Sequence, residues 1–407
     1  MTLPNLMLVQ PLGSTNTAGN TSLPDIIHLL RQHLGMDVAF LSEFAHGRRE
    51  FRYVDTDESD CPVCCDKGDA LEASYCQRII DGRLPELIPD VDDFPMAKAL
   101  PVTQELDIKS YIAAPIRLAD GSVYGTFCCY SHMPDRSLNE RDLALMHVCA
   151  EMAAKQIDRE RLEAQQQREI EERIRIALTQ NGVSMVFQPI YTLANRKVVG
   201  FEALSRFTDM HNRPPDVFFH EAHAVGLGIA LEAKTIGLGL RGLQEFTPEV
   251  YVSVNISPET ILSPAFPDIF RDIPLERVTL EITEHAAVDR YQEIADVLRP
   301  IRAHGLQLAV DDAGAGYASF RHILQLEPDR IKLDCSLTKN IDSDPARRAL
   351  IAAFVRFSED TGASLIAEGV ETEKELDALR QLGVAKAQGH FLGHPMPIGK
   401  AVALLRG

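Results

Sequence analysis

The sequence has no tryptophan, only 6% aromatic residues, and no apolar run near the ~18 residues that a membrane helix needs. The N-terminus also lacks the basic start and apolar core of a signal peptide. These scarcities predict a cytoplasmic protein without membrane contact. Basic residues are outnumbered as well, with 41 Lys+Arg against 59 Asp+Glu and a formal charge of −18. Such a chain repels a phosphate backbone, which excludes the coating of a nucleic-acid polymer. Any anionic ligand must be received where metal ions or a few Arg and Lys reverse the local field. Cysteine is present at eight positions, Cys61, Cys64, Cys65, Cys76, Cys128, Cys129, Cys149 and Cys335, but without the regular spacing of a secreted disulfide framework. Reduced thiols are the expectation. What remains is 45% apolar and 25% charged over 407 residues, the balance of a soluble chain with two or three domains.

Residues 1–22 carry Thr, Asn, Ser, Gly and Pro without charge and read as a flexible tail. From Leu23 the pattern predicts a helix (PDIIHLLRQHLG), a strand (MDVAFLSEF) and its hairpin partner (REFRYVD), then a second pair in YIAAPIRLADGSVYGTFCCYS joined at Asp120-Gly121. A helix is predicted from near Leu138 to about Leu178, with Leu145, Met152, Ile157, Leu162, Ile170 and Ile174 loosely heptad-like. It reads as a connecting helix paired in a dimer, the alternative being a solvated linker helix. Met133, Met146 and Met152 are expected to pack in cores or against helices. After Asn181-Gly182 strands alternate with helix-length segments. The eight candidates are SMVFQPIYTL, KVVGFEALSRF, EVYVSVNIS, VTLEITE, LQLAVDD, RIKLDC, SLIAEGV and AKAQGHFLG. The first two are joined by a turn too short for a crossover helix and should be antiparallel. The rest argue for a (β/α)8 barrel with an atypical start.

Barrel chemistry sits at the carboxyl ends of strands, and polar residues interrupt nearly every apolar run there. They are Glu202 and Arg206, Asn255, Glu281 and Glu284, Asp311 and Asp312, Lys332, Glu368 and Glu371, and Gln388. Singly, each could face solvent or cap a helix. Together, several carboxylates converging on one mouth would repel one another unless cations lie between them. Oxygen donors without His or Cys select hard divalent ions, Mg²⁺ or Mn²⁺. The adjacent Asp311 and Asp312 suit a pair of ions, one carboxylate bridging both, as in two-metal attack of water on a phosphodiester. Lys332 among such acids stays protonated.

The motifs FEALSR, VNIS, LEITE, DDAGAG, IKLD, AEGVE and QGHFLG, in this order, resemble the EAL-domain phosphodiesterases of bacterial cyclic di-GMP signalling over about residues 181–407. The resemblance implies hydrolysis of cyclic di-GMP to linear pGpG with two Mg²⁺ or Mn²⁺ per active site. It implies that Glu202, Asn255, Glu281 and Asp311 hold the first ion, that Asp311, Asp312 and Glu368 surround the second, and that Gln388 lies near its water. Lys332 matches the lysine that contacts the attacking water, and with Glu202 and Glu368 makes up the catalytic group. Leu204 and Arg206 match substrate contacts. Glu284 and Glu371 match acids that support the loop after the DD strand and the lysine. That loop reads DDAGAGYAS here, where the commoner form is DDFGTGYSS, so Ala313 and Ala315 replace an aromatic and a hydroxyl residue while the ligands are kept. Residues 23–158 resemble a GAF domain, an α+β sensory fold, through SYCQRIIDGRLPELIPDV, the paired strands and the closing helix. Its ligand is unknown, and residues 159–180 form the connecting helix. The resemblance also implies a homodimer through barrel and helix. A non-catalytic cyclic di-GMP receptor is the competing reading. Such receptors usually lose a metal ligand or the lysine, and none is lost here. CPVCC at 61–65 is a weak candidate for a metal or redox site, and His28, His46, His132 and His147 are weaker ones for haem.

Overall fold

The computed structural model describes residues 22–59, 61–65, 67–179, 181–208, 213–283, 290–314 and 318–406. The chain divides into two compact units, Met1–Gln165 and Gln166–Gly407. Of the tail expected at 1–22, residues 1–21 lie outside the described residues, as do Glu284, Ala315 and Gly316, while Ser22 belongs to the first helix as its cap. Among the described residues no helix is long and apolar enough to cross a membrane.

The first unit starts with α1 (Leu23–Leu34), whose N-cap Ser22 and Asp25 form a reciprocal capping box that satisfies the first free N–H groups. Six strands follow: β1 (Val38–Ala45), β2 (Arg48–Thr56), β3 (Gly68–Ala70), β4 (Leu87–Ile88), β5 (Ser110–Arg117) and β6 (Val123–Ser131). They form one antiparallel sheet in the order β3-β2-β1-β6-β5-β4. Strand alternation divides neighbouring side chains between two apolar layers. Cys129, Ala39 and Phe127 join α1 residues and Met146, while Cys128, Phe40 and Tyr130 join Tyr75 and Cys76 of α2 (Tyr75–Ile80). The helix predicted to close this unit runs Glu140–Ala177. Ile157 is buried in the first unit's core and Ile174 in a cluster of the second, but Met152 and Leu162 are exposed. Of the three methionines expected to pack, Met146 does, whereas Met133 is 70% and Met152 47% exposed. Met133 follows the end of β6, and Met152 lies outside the Met146, Cys149, Ala153 stripe that meets the sheet.

In the second unit eight strands close a barrel: β7 (Val183–Thr192), β8 (Val198–Phe207), β9 (Tyr251–Asn255), β10 (Val278–Thr283), β11 (Gln307–Ala313), β12 (Arg330–Leu333), β13 (Ser364–Ala367) and β14 (Lys386–Ala387). β7 is antiparallel to β8 and to β14, and the remaining pairs are parallel. A short β15 (Met396–Pro397) adds to β7. The antiparallel start follows from the turn at 193–197, which is too short for a crossover. Leu280, Leu308, Ile331 and Leu365 face the outer helices. The residues next to them along each strand, including Glu281, Lys332 and Arg330, therefore point inward.

Candidate active site

Period-two alternation stacks two inward layers. The upper one contains Glu202, Glu281, Asp311, Lys332 and Gln388, all buried, at the carboxyl ends of their strands. The residues two positions earlier include Gly200, Thr279, Arg330 and Lys386, and this lower layer is built around the Tyr251 ring. The Arg330 guanidinium lies 3.9 Å above that ring and the Lys386 ammonium 5.7 Å from its centre. Arg330 also donates to Thr279. A Cβ on Gly200 would fall 2.5 Å from the ring, so only glycine leaves Tyr251 its place.

Lys332 is fully buried, and its ammonium lies 2.8 Å from Glu281, 3.0 Å from Asp311, 2.8 Å from Glu368 and 3.5 Å from Glu202. Burial works against its charge, but these carboxylates outweigh it and hold the lysine well above its ordinary range. Burial pushes the Glu281 carboxyl up to about 8, the Lys332 charge opposing and Glu202 and Asp311 adding to the shift. Glu368 is raised for the same reasons. One cation is too little for so many acids.

The residues fit divalent ions. Glu202, Glu281 and Asp311 each bring a carboxylate oxygen within 4.8 Å of the others, and so do Asp311, Asp312 and Glu368, with Asp311 common to both groups. One oxygen of fully buried Glu281 and the side-chain oxygen of Gln388 have no hydrogen-bond partner, which is costly unless a cation or water is received there. Every donor is oxygen, the set that suits Mg²⁺ or Mn²⁺.

The geometry brings most of the sequence-derived residues together. A cavity of about 440 Å³ is lined by Glu202, Leu204, Asp311, Asp312, Lys332, Glu368, Glu371 and Gln388. Gln388 donates to Glu202 at 2.6 Å, and Asn255 donates to Glu202 at 3.3 Å. Leu204, Arg206 and Asn255 line an adjoining cavity of about 310 Å³. Arg206 is exposed, and its guanidinium donates to the Ser205 carbonyl. Glu371 stands exposed at the rim, its backbone N–H held by buried Glu375, which also accepts from Asn340 and Thr372. In the AEGVE turn Gly369 has φ +66° and a Cβ there would meet Cys335 at 2.4 Å, so glycine sets the path of this wall.

Sequence reasoning missed Gln188, Asp334 and His390, which line the same cavity. Gln188 accepts from Gln388 at 3.0 Å and donates to the Gly393 carbonyl, linking both to the Glu202 carboxylate. A buried amide inside the apolar run MVFQPI was the available signal. In the first unit His28, His132 and His147 pair with Asp55, Glu58 and Glu86. Cys61 and Cys64 are half-buried and Cys65 exposed, and no cysteine joins a metal-type cluster among the described residues.

The EAL domain family matches residues 171–395 and the GAF domain family residues 20–157. A signaling protein of Caulobacter vibrioides is 30% identical over 233 residues, 55% of this chain and 29% of its own length. The probable cyclic di-GMP phosphodiesterase PdeB of Escherichia coli is 28% identical over 236 residues, 55% of this chain and 45% of its own length. The solved phosphodiesterase PaMucR, in complex with c-di-GMP, superposes with a TM-score of 0.52 at 25% identity, covering 57% of this chain and 99% of its own. This chain spans about a third of the length of the first curated relatives it matches. The chain belongs to the EAL family, and its EAL domain is preceded by a GAF domain.

Proposed function

We propose that this protein is a cytoplasmic phosphodiesterase that hydrolyses cyclic di-GMP to linear pGpG under control of its GAF domain. The observation that carries the reading is the single buried ammonium of Lys332 among the carboxylates of Glu202, Glu281, Asp311 and Glu368, opening into one cavity with Asp312. A surplus of buried negative charge at a barrel mouth is costly for a purely structural site. A similar matched relative, PdeB, is a probable cyclic di-GMP phosphodiesterase.

In this reading Glu202, Asn255, Glu281 and Asp311 hold one divalent ion, and Asp311, Asp312 and Glu368 a second. When bound, Mg²⁺ or Mn²⁺ would lower the pKa of water and offset the phosphoryl charge. Lys332, protonated, donates a hydrogen bond to the attacking water and fixes its direction towards phosphorus. Glu368, across the ammonium, receives the proton that the water gives up. The P–O bond to one ribose oxygen breaks as the water oxygen bonds to phosphorus, and that ribose oxygen leaves as a hydroxyl with the proton Glu368 took up, giving a linear dinucleotide. Gln388 and Gln188 fix the Glu202 carboxylate, Leu204 and Arg206 receive the substrate, Arg206 at a phosphate, and Glu284 and Glu371 support the walls. The active form is a homodimer through the barrel and the Glu140–Ala177 helix, which carries Met152 and Leu162 exposed.

The test is hydrolysis of cyclic di-GMP by the full-length protein with Mg²⁺ or Mn²⁺, followed by chromatography of the nucleotides. Wild type should yield pGpG, and Glu202→Ala and Lys332→Ala should lose at least ~10²-fold in rate while remaining folded. Wild-type binding without cleavage, by the full chain and by an activated dimer alike, would make the protein a receptor and overturn the reading.

A further inference from the structure

We propose that Cys76 and Cys128, in the core of the GAF domain, form an oxidisable dithiol that hydrogen peroxide converts into an intramolecular disulfide. Cys76 lies on α2 and Cys128 on β6, and their sulfurs are 3.8 Å apart. Both are completely buried. A disulfide requires about 2.05 Å between sulfurs, so forming the bond brings the two about 1.8 Å closer than they stand.

The surroundings differ from those of an inert core thiol. Arg49, 2% exposed, donates to Cys76 Sγ at 3.2 Å while the rest of its guanidinium grips Asp69. The ring of Tyr111 brings its hydroxyl to 3.6 Å from the same sulfur. Cys128 Sγ donates to Thr126 Oγ1 at 3.1 Å. Each sulfur has a hydroxyl beside it, but the guanidinium lies against Cys76, which gives the pair unequal roles. Burial opposes thiolate at both sites, yet the Cys128 contact and the Arg49 charge hold Cys76 below its ordinary range, whereas burial and the Cys76 charge raise Cys128. Cys76 is then the attacking sulfur and Cys128 the resolving one.

In the first step the Cys76 sulfur attacks one peroxide oxygen. The O–O bond breaks, and the departing hydroxide leaves as water with the thiol proton, giving Cys76 sulfenic acid. The Cys128 sulfur then attacks Cys76, the S–O bond breaks, and a second water carries away the Cys128 proton. Two thiols lose two electrons and two protons, and one peroxide becomes two waters. Peroxide is close to water in size and reaches the pair through local opening.

The experiment treats the reduced full-length protein with hydrogen peroxide, blocks remaining thiols under denaturing conditions, and maps peptides by mass spectrometry. The expected product is a Cys76–Cys128 linked peptide that dithiothreitol reverses. Cys128→Ala, a small change, should abolish the link and leave Cys76 sulfenic acid trapped by dimedone. Asp69→Asn, which leaves both sulfurs in place and frees the guanidinium from its carboxylate, should preserve the link. Oxidation confined to Cys61, Cys64 and Cys65, with Cys76 and Cys128 recovered as blocked thiols, would overturn the proposal. So would a link that forms only after unfolding, or sulfenic acid absent from Cys76 in Cys128→Ala.

Discussion

In the GAF domain Arg49 is buried against one carboxylate, Asp69, between the rings of Phe40 and Phe51. In the barrel Lys332 is buried against four carboxylates, with a fifth, Asp312, on the same cavity. The first arrangement is nearly neutral, one cation matched by one anion and by aromatic faces. The second is left negative and open. Buried charge that closes on itself holds a fold together, and buried charge that does not close invites a ligand. The greatest strain on that contrast comes from deleting each cation. Lys332→Met leaves its acids uncompensated, and in chelator the barrel should lose about 3–5 kcal/mol. Arg49→Met leaves only Asp69, whose side chain is 37% exposed, and should cost about 1–3 kcal/mol. Urea unfolding of the full chain in chelator and then in Mn²⁺ measures both. Mn²⁺ should stabilise Lys332→Met at least as strongly as wild type and leave the deficit of Arg49→Met unchanged. Equal deficits in chelator for the two variants would remove the contrast.

The barrel side of this comparison was legible before the fold was known, and the GAF side was not. Glu202, Glu281, Asp311 and Lys332 each interrupt an apolar run at a strand's carboxyl end, and a parallel barrel gathers all such ends at one mouth. Gln188 escaped that reasoning because β7 runs against its neighbours, so its register with Glu202 depends on pairing across β8. Arg49 sits among other charges in RREFRY, where sequence does not say which arginine turns inward. The approach of Cys76 to Cys128 joins positions 52 residues apart on a helix and a strand. Met152 was misjudged because an apolar residue in a helix indicates a face only when the partner of that face is known.

A second comparison lies inside the barrel, between Lys332 and the cation two layers' pleat away, Lys386. No carboxylate pairs with Lys386 among the described residues. Burial, with Arg330 adding, pulls its pKa down from 10.5 to about 8. A lysine depressed in the folded state destabilises it wherever the unfolded chain would carry the charge. That penalty is complete below about pH 8 and shrinks as pH rises towards 10.5. Lys386→Met should therefore stabilise the protein by about 1–2 kcal/mol at pH 7, the opposite sign from Lys332→Met, with the gain fading above pH 8. Chemical unfolding at pH 7 and pH 10 checks this. A loss of stability at pH 7 would show that Lys386 has a compensating partner and that the lower layer is closed, like the GAF core.

The smallest effect belongs to the GAF-domain surface, where charge is paired and half-exposed. His132 Nε2 donates to the Glu58 carboxylate at 2.7 Å, and its Nδ1 lies 3.0 Å from the Asp107 carbonyl oxygen. Burial lowers its pKa, but the Asp107 and Glu58 contacts outweigh it and raise the imidazole above 6.5. A histidine raised in the folded state contributes stability that is complete below about pH 6.5 and is lost as pH climbs through its folded value. Pairs this exposed are worth about 0.2–1 kcal/mol. Wild type should thus unfold slightly more easily at pH 8 than at pH 6, when followed by hydrogen exchange in β1 and β6, and Glu58→Gln should flatten that slope without touching the barrel. The Lys386 penalty is constant up to about pH 7 and begins to shrink only near pH 8, an effect of opposite sign that lies in the barrel strands. A pH slope that persists in Glu58→Gln would place the titrating group elsewhere in the GAF sheet, and a slope confined to the barrel strands would mean that its uncompensated acids, not the paired surface, dominate near neutrality.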